Sequence, residues 1–208
     1  MQILYAANHE DLIKQLPAIT PIVPSRAQGR KKHHTEIYSI ARLLGSLPSD
    51  YLTYPLSLKK RERPDFEIRS GKIIIGIEHT EAISPNAAKE AYLRSRGAGP
   101  NIFFAKRASI NEPRKSEKQL LAEIEADEPG EPWVGDSVER DWSEAIEYFV
   151  QKKMEAANRP GFQRLDQNWL LIYDNWPAVG FKSETGISYL QSALEKMNPW
   201  EVFNKIFV

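Results

Sequence analysis

The sequence predicts an α/β protein: a mixed central β-sheet flanked by helices. Three observations carry this. Residues 64–80 read as two short strands joined by a tight turn, with Ser70-Gly71 between two apolar runs. Trp169 to Tyr173 is a continuous apolar run, as expected of a strand covered on both faces. Two stretches, 35–47 and 137–158, repeat apolar residues at helical spacing. With 208 residues the chain is long enough for one domain with a sizeable core, and its 41% apolar and 27% charged content places it among ordinary globular chains.

Taken in order, residues 1–30 read as an irregular N-terminal extension with one short helix at 11–16, because Pro17, Pro21 and Pro24 interrupt the next stretch. Thr35 is placed to cap a helix running to about Leu47, whose apolar face is Ile37, Ile40, Ala41 and Leu44. Glu36 falls at the edge of that face, near the line of Ile40, Leu43 and Leu47. It faces the sheet, or it is a first-turn acid favoured by the helix dipole. Residues 50–58 form a strand, with Pro55 marking an edge or irregularity. The hairpin comes next, and then Ser84-Pro85 starts a helix that Gly97 and Gly99-Pro100 end near Ser95. Residues 96–136 read as a helical insertion: a short strand at 101–105, a helix at 115–126, and a Pro/Gly/acid loop.

Ser137 to Asn158 is the strongest helix, with Ser137 as N-cap and Trp142, Ile146, Phe149, Val150 and Ala157 as its apolar stripe. Lys153 falls inside that stripe. Either its stem packs and its charge escapes at the rim, or a carboxylate or phosphate pairs with it, because an unpaired buried ammonium is costly. A strand at 168–174, a helix at 186–197 and a final strand at 203–208 complete the chain.

The hairpin carries the chemistry. With Ser70-Gly71 as a two-residue loop, Arg69 faces Lys72 and Asp65 faces Gly76. Asp65 and Glu78 then share one sheet face as diagonal neighbours, with Cβ atoms about 7 Å apart or less, within reach of one cation. Gly76 opposite Asp65 leaves room for a metal or phosphate. Two carboxylates held this close repel unless a proton or a cation relieves them.

Pro64-Asp65, a gap, then Glu78-x-Thr80 resembles the PD-(D/E)XK nuclease superfamily. The resemblance covers residues 35–80 closely and the rest by order of elements. It implies a restriction-endonuclease-like core and phosphodiester hydrolysis, with DNA as the expected substrate. By the resemblance, Asp65, Glu78 and the backbone carbonyl of His79 hold Mg²⁺ or Mn²⁺, and Glu36 occupies the helix-borne acid position. The family's lysine position is Thr80 here, a departure; Lys153, from a neighbouring helix, is the candidate replacement, with Lys89 ranked behind it. Many nucleases of this fold act as dimers, so a homodimer is compatible. The same motif also suits a nuclease-fold module that has lost catalysis and binds nucleic acid or a protein. A third reading takes the motif as accidental, in an α/β protein with a small-molecule pocket.

Charge and composition narrow the classes. Net charge is zero, but the charge is uneven: Arg26, Arg30, Lys31 and Lys32 cluster before the first helix, Lys59, Lys60, Arg61 and Arg63 lead into Asp65, and Arg94, Arg96, Lys106, Arg107, Arg114 and Lys115 follow. Lys31, Lys32, Lys59, Lys60, Arg61 and Arg63 are the expected nucleic-acid contacts, since a basic face suits a polyanion. The absence of cysteine excludes disulfides and thiolate chemistry. No run approaches a membrane span and no signal-peptide pattern opens the chain, so a cytoplasmic location is expected. His33-His34 and His79 have no zinc spacing.

Overall fold

A single six-stranded sheet organises the computed structural model, which describes residues 1–208. The strands are β1 (Gln2–Ala6), β2 (Leu56–Lys60), β3 (Phe66–Ser70), β4 (Ile73–Ala82), β5 (Gln167–Asp174) and β6 (Lys205–Phe207). They lie in sequence order across the sheet. The first four pair antiparallel, and β4–β5 and β5–β6 pair parallel, so the sheet is mixed. Six helices accompany it: α1 (His9–Ile19), α2 (Lys32–Ser46), α3 (Pro85–Ser95), α4 (Glu117–Ala126), α5 (Ser137–Ala157) and α6 (Ser183–Met197). No helix is long and apolar enough to cross a membrane.

Strand alternation sorts the side chains into two cores. Ile75 and Ile77 of β4 and Trp169 and Leu171 of β5 meet Leu12 and Leu16 of α1 and Ile40 and Leu44 of α2. Leu170 and Ile172, the intervening residues of β5, meet Trp142, Ile146 and Val150 of α5 and Leu190 and Leu194 of α6. The run 169–173 is therefore covered on both faces, as its continuous apolarity requires. Each fully buried Leu or Ile here contributes about 1.5–3 kcal/mol relative to exposure. A small third cluster, Leu93, Leu120 and Ile124, ties α3 to α4.

Several elements differ from those the sequence predicts. Residues 2–19 are not an irregular extension. They form β1, at the sheet edge beside β2, and α1, whose N-cap Asn8 accepts the Asp11 N–H at 2.9 Å. Helix α2 begins at Lys32, a turn before Thr35, and the Thr35 hydroxyl donates to the Lys32 carbonyl instead of capping. The strand expected at 50–58 is β2, which starts later and includes Lys59 and Lys60. Residues 101–105 form no strand, and α4 is the sole regular element between α3 and α5. Asp136, not Ser137, stands at the N-cap position of α5.

The hairpin register also differs, by one loop position. Ser70 pairs with Ile73, Glu67 with Gly76 and Phe66 with Ile77, so the loop is Gly71-Lys72. Two features fix this. Ser70 Oγ accepts the Thr53 N–H at 2.7 Å and donates to the Thr53 carbonyl at 2.9 Å, which keeps Ser70 in the ladder. Gly71 takes φ +59, the positive value that the first loop position of a type II′ turn requires. Moving the loop by one shifts every partner by two, so no side chain changes face. Continuing the ladder sets Asp65 level with Glu78, a direct pair rather than a diagonal one.

Candidate active site

Asp65 sits immediately before β3 and Glu78 lies in mid-β4, where its neighbours Ile77 and His79 turn to the α1/α2 face. Asp65 is 5% exposed and its two oxygens are shared out. Oδ2 accepts the backbone N–H of His79 at 2.8 Å and lies 3.7 Å from the Lys153 ammonium. Oδ1 lies 3.0 Å from Lys32 Nζ and 3.8 Å from Lys60 Nζ. The Lys153 Nζ sits 2.8 Å from Glu78 Oε2, so one ammonium bridges the two hairpin carboxylates. Lys153 therefore does not snorkel to the rim. It spans from α5 onto the hairpin, its side chain 19% exposed.

Glu36 completes the group from α2. It is 2% exposed, with Lys32 Nζ 2.9 Å from Oε1 and Lys60 Nζ 2.9 Å from Oε2. Of the two readings of Glu36, the sheet-facing one holds. The Lys32 contact is close but poorly aligned, and it leaves the buried Oε1 without a hydrogen-bond donor. Three carboxylates, Glu36, Asp65 and Glu78, are thus chained by three lysines, Lys32, Lys60 and Lys153. Such pairing is what makes buried charge tolerable. Burial pushes the Asp65 carboxyl up, but the His79 N–H, Lys153 and Lys32 outweigh it and hold it below the usual range. Partial desolvation opposes the Lys32 charge, but Glu36 and Asp65 outweigh it and raise the ammonium to about 12.

His79 points to the other face. Its Nε2 lies 3.1 Å from Ser39 Oγ of α2, which donates to the Thr35 carbonyl at 2.7 Å. Burial lowers the imidazole to about 4, against the opposing pull of Glu36 and Asp65. His79 is therefore neutral at pH 7, and its contribution to the carboxylates is its backbone.

The expected basic residues divide. Lys32 and Lys60 are carboxylate partners, and Lys60 also stands 4.5 Å from the Phe66 ring centroid. Arg61 pairs with Glu67, which Arg69 also binds at 2.9 Å. Glu67 is buried beneath these arginines. Lys31 is exposed and lines a cleft beside Lys32. Lys59 is half-buried and Arg63 exposed, and neither joins the carboxylates. Lys89 lies elsewhere, 2.6 Å from Glu117. The space over Gly76 is filled, not open: an added Cβ would stand 3.0 Å from Pro64 Cγ and 3.1 Å from Leu165 Cδ1.

The open space lies instead on the flank of the carboxylates, in a cleft of about 400 Å³. Its wall holds no apolar side chain. Arg26, Arg30, Lys31, Lys32 and Lys153 face Thr35, His79, Thr80 and a single acid, Glu81. Arg26 and Arg30 belong to the basic cluster that the sequence places before the first helix, but they are not among the contacts expected from it. Alternation along β4 offers one hint of them, because Glu81 is an acid on the α2 face that needs a cation. Arg26 and Arg30 supply it, at 2.6 and 3.0 Å from Glu81 Oε1.

No three His, Asp or Glu side chains converge as a ready metal cage. The donor set nevertheless suits Mg²⁺, which takes one or two carboxylates and keeps several waters. Asp65 Oδ2 and Glu78 Oε2 already face one cationic point, and both are hard oxygen donors. No protein-family model, curated protein or solved structure matches the chain.

Proposed function

We propose that the chain is a metal-dependent nuclease that hydrolyses phosphodiester bonds in DNA, on a restriction-endonuclease-like core. The observation that carries this reading is the bridge of Asp65 and Glu78 by a single cation, the Lys153 ammonium, at 3.7 and 2.8 Å. A direct cross-strand acid pair with a lysine delivered onto it matches the chemical parts of the PD-(D/E)XK pattern, despite Thr80 at the usual lysine position.

In this reading Asp65, Glu78 and the His79 carbonyl hold Mg²⁺ or Mn²⁺. The chemistry such an ion supplies is charge neutralisation at the scissile phosphate and a lower pKa for the attacking water. Lys153 acts as a donor: it orients the water and stabilises charge developing on the phosphate. Thr80, on the wall of the same cleft, offers a hydroxyl to that water. Glu36 keeps Lys32 and Lys60 beside Asp65 and so sets the position of its carboxylate. Lys31, exposed on the cleft wall, draws the polyanion toward the carboxylates.

A second reading rests on the same network. Three ammoniums already neutralise three carboxylates, so a folded site needs no metal, and the chain is then an inactive module that binds nucleic acid or protein. Cleavage decides between them. Plasmid, linear and single-stranded DNA, and RNA, are incubated with Mg²⁺, Mn²⁺ or EDTA, using wild type, Asp65→Asn and Lys153→Met. The nuclease reading expects metal-dependent cleavage of DNA that falls at least 100-fold in both variants. Cleavage that persists in Asp65→Asn, or its absence from wild type, refutes it.

A further inference from the structure

The cleft beside the carboxylates continues over a group of cations that cleavage does not use. Arg26 and Arg30, on the segment that leads into α2, converge on one oxygen of Glu81. Asn175 Nδ2 donates to the same oxygen at 2.8 Å. A single carboxylate neutralises one guanidinium, not two, so the cluster keeps an excess positive charge. Arg30 is further fixed by the Tyr173 ring, 5.6 Å from its guanidinium carbon. The segment itself is anchored on α3, where the Ala27 N–H donates to Ser95 Oγ at 3.2 Å. These are preset donors with spare N–H groups, a form suited to phosphate oxygens.

Two further facts give the cluster a direction. Glu81 lies three residues beyond Glu78 on β4, about 10 Å along the strand at about 3.3 Å per residue. Arg26 and Arg30 also line a second cleft, of about 590 Å³, whose other walls come from α3 and from Arg114, Lys115 and Glu117. There Lys89 and Lys115 have acid partners, Glu117 and Glu123, while Arg114 is exposed and has none. The two arginines thus join two cationic basins in a chain of zero net charge.

We infer that Arg26 and Arg30 form a phosphate subsite for a non-scissile phosphate of the DNA strand, which continues past them toward Arg114. This rests on the nuclease reading for the identity of the strand, but not for the existence of the subsite. A stacked strand advances about 3.4 Å per nucleotide, so the subsite lies about three nucleotides from the scissile bond.

The test is binding of a fluorescein-labelled 12-nucleotide single-stranded DNA, followed by anisotropy in EDTA across a KCl titration. Arg26→Gln is expected to weaken binding about 10-fold and to lower the slope of log K against log salt by about 1. Arg114→Gln, at an exposed position without an ion-pair partner, is expected to lower the slope similarly. Lys14→Gln on α1 removes the same charge elsewhere and is expected to change neither. Arg26→Gln and Arg114→Gln matching Lys14→Gln, with helicity retained by circular dichroism, overturn the inference, as does a wild type that fails to bind. Should Arg26→Gln not fold, Arg30→Gln, which removes the other guanidinium on Glu81, takes its place under the same outcomes. Because EDTA stops cleavage, the two readings fail separately. A chain that binds in this pattern but never cleaves overturns the nuclease and keeps the subsite. A chain that cleaves while Arg26→Gln binds normally does the reverse.

Discussion

Replacing Lys153 by Met removes the ammonium shared by Asp65 and Glu78 while keeping the aliphatic stem that packs in α5. The separations are 2.8 Å to Glu78 Oε2 and 3.7 Å to Asp65 Oδ2. At an effective dielectric of about 20 these correspond to about 6 and about 4.5 kcal/mol of gross attraction. Desolvation of three largely buried groups removes most of that, so the gross values are ceilings. Losing one partner of a buried pair leaves the other charge uncompensated, and Lys153→Met is expected to cost about 3 kcal/mol. Glu78→Gln removes the opposing charge, so the double variant should recover part of the loss. Urea unfolding at pH 7 in EDTA of wild type, both single variants and the double variant gives the coupling energy. The geometry predicts about 2 kcal/mol, within the range for residues in one ion network. A coupling below about 0.5 kcal/mol would overturn the bridge, because Lys153 would then be a packed stem with a solvated charge.

Other outcomes depend on the same site. His79 ionises at about 4 in the folded chain against an ordinary 6.5. The unfolded chain therefore binds the extra proton first, and stability falls by about 3 kcal/mol as pH drops from 6.5 to 4. Above 6.5 the imidazole is neutral in both states and this dependence vanishes. Thermal unfolding across that window should show the loss in wild type and a flatter profile in His79→Gln; parallel profiles would exclude His79 as its source. Gly76→Ala brings a methyl within 3.0 Å of Pro64 Cγ and 3.1 Å of Leu165 Cδ1. Overpacking of this kind costs about 1–3 kcal/mol. Pushing Pro64 also displaces Asp65, so the variant should lose both melting temperature and Asp65-dependent cleavage; loss of neither would show that the contact gives way freely.

Much of the site is legible in the sequence because its signals are local. Asp65 and Glu78 lie one hairpin apart, and period-two alternation places them on one face whichever residue begins the loop. The loop itself is not legible, since Ser70-Gly71 and Gly71-Lys72 are equally short. What decides is Ser70 bonding across to Thr53, a contact between residues 17 apart in sequence. Lys153 is conspicuous as a charge inside an apolar stripe, but its partner is unreadable, because 75 residues separate it from Glu78. Lys32 and Lys60 read as free basic surface for a related reason. Starting the helix at Thr35 hides the i, i+4 relation between Lys32 and Glu36, and ending the strand at Leu58 leaves Lys60 in a loop. Strand β1 leaves almost no trace. Tyr5 is exposed on the edge strand and only Leu4 and Ala6 are buried, too short a pattern to separate from coil. The Arg26–Arg30–Glu81 cluster depends on a segment of little regular structure folding back on β4; alternation marks Glu81 as an acid in need of a cation, but not which cations reach it.

If Asp65 and Glu78 form a nuclease centre, they hold one divalent cation between them. Titration of Mn²⁺ into the protein, followed by the electron paramagnetic resonance signal of the free ion, tests this without requiring a substrate. Wild type should bind one Mn²⁺ per chain at this pair, with affinity at least 10-fold weaker in Asp65→Asn and in Glu78→Gln. Equal binding by all three proteins, or none by wild type, contradicts the metal centre.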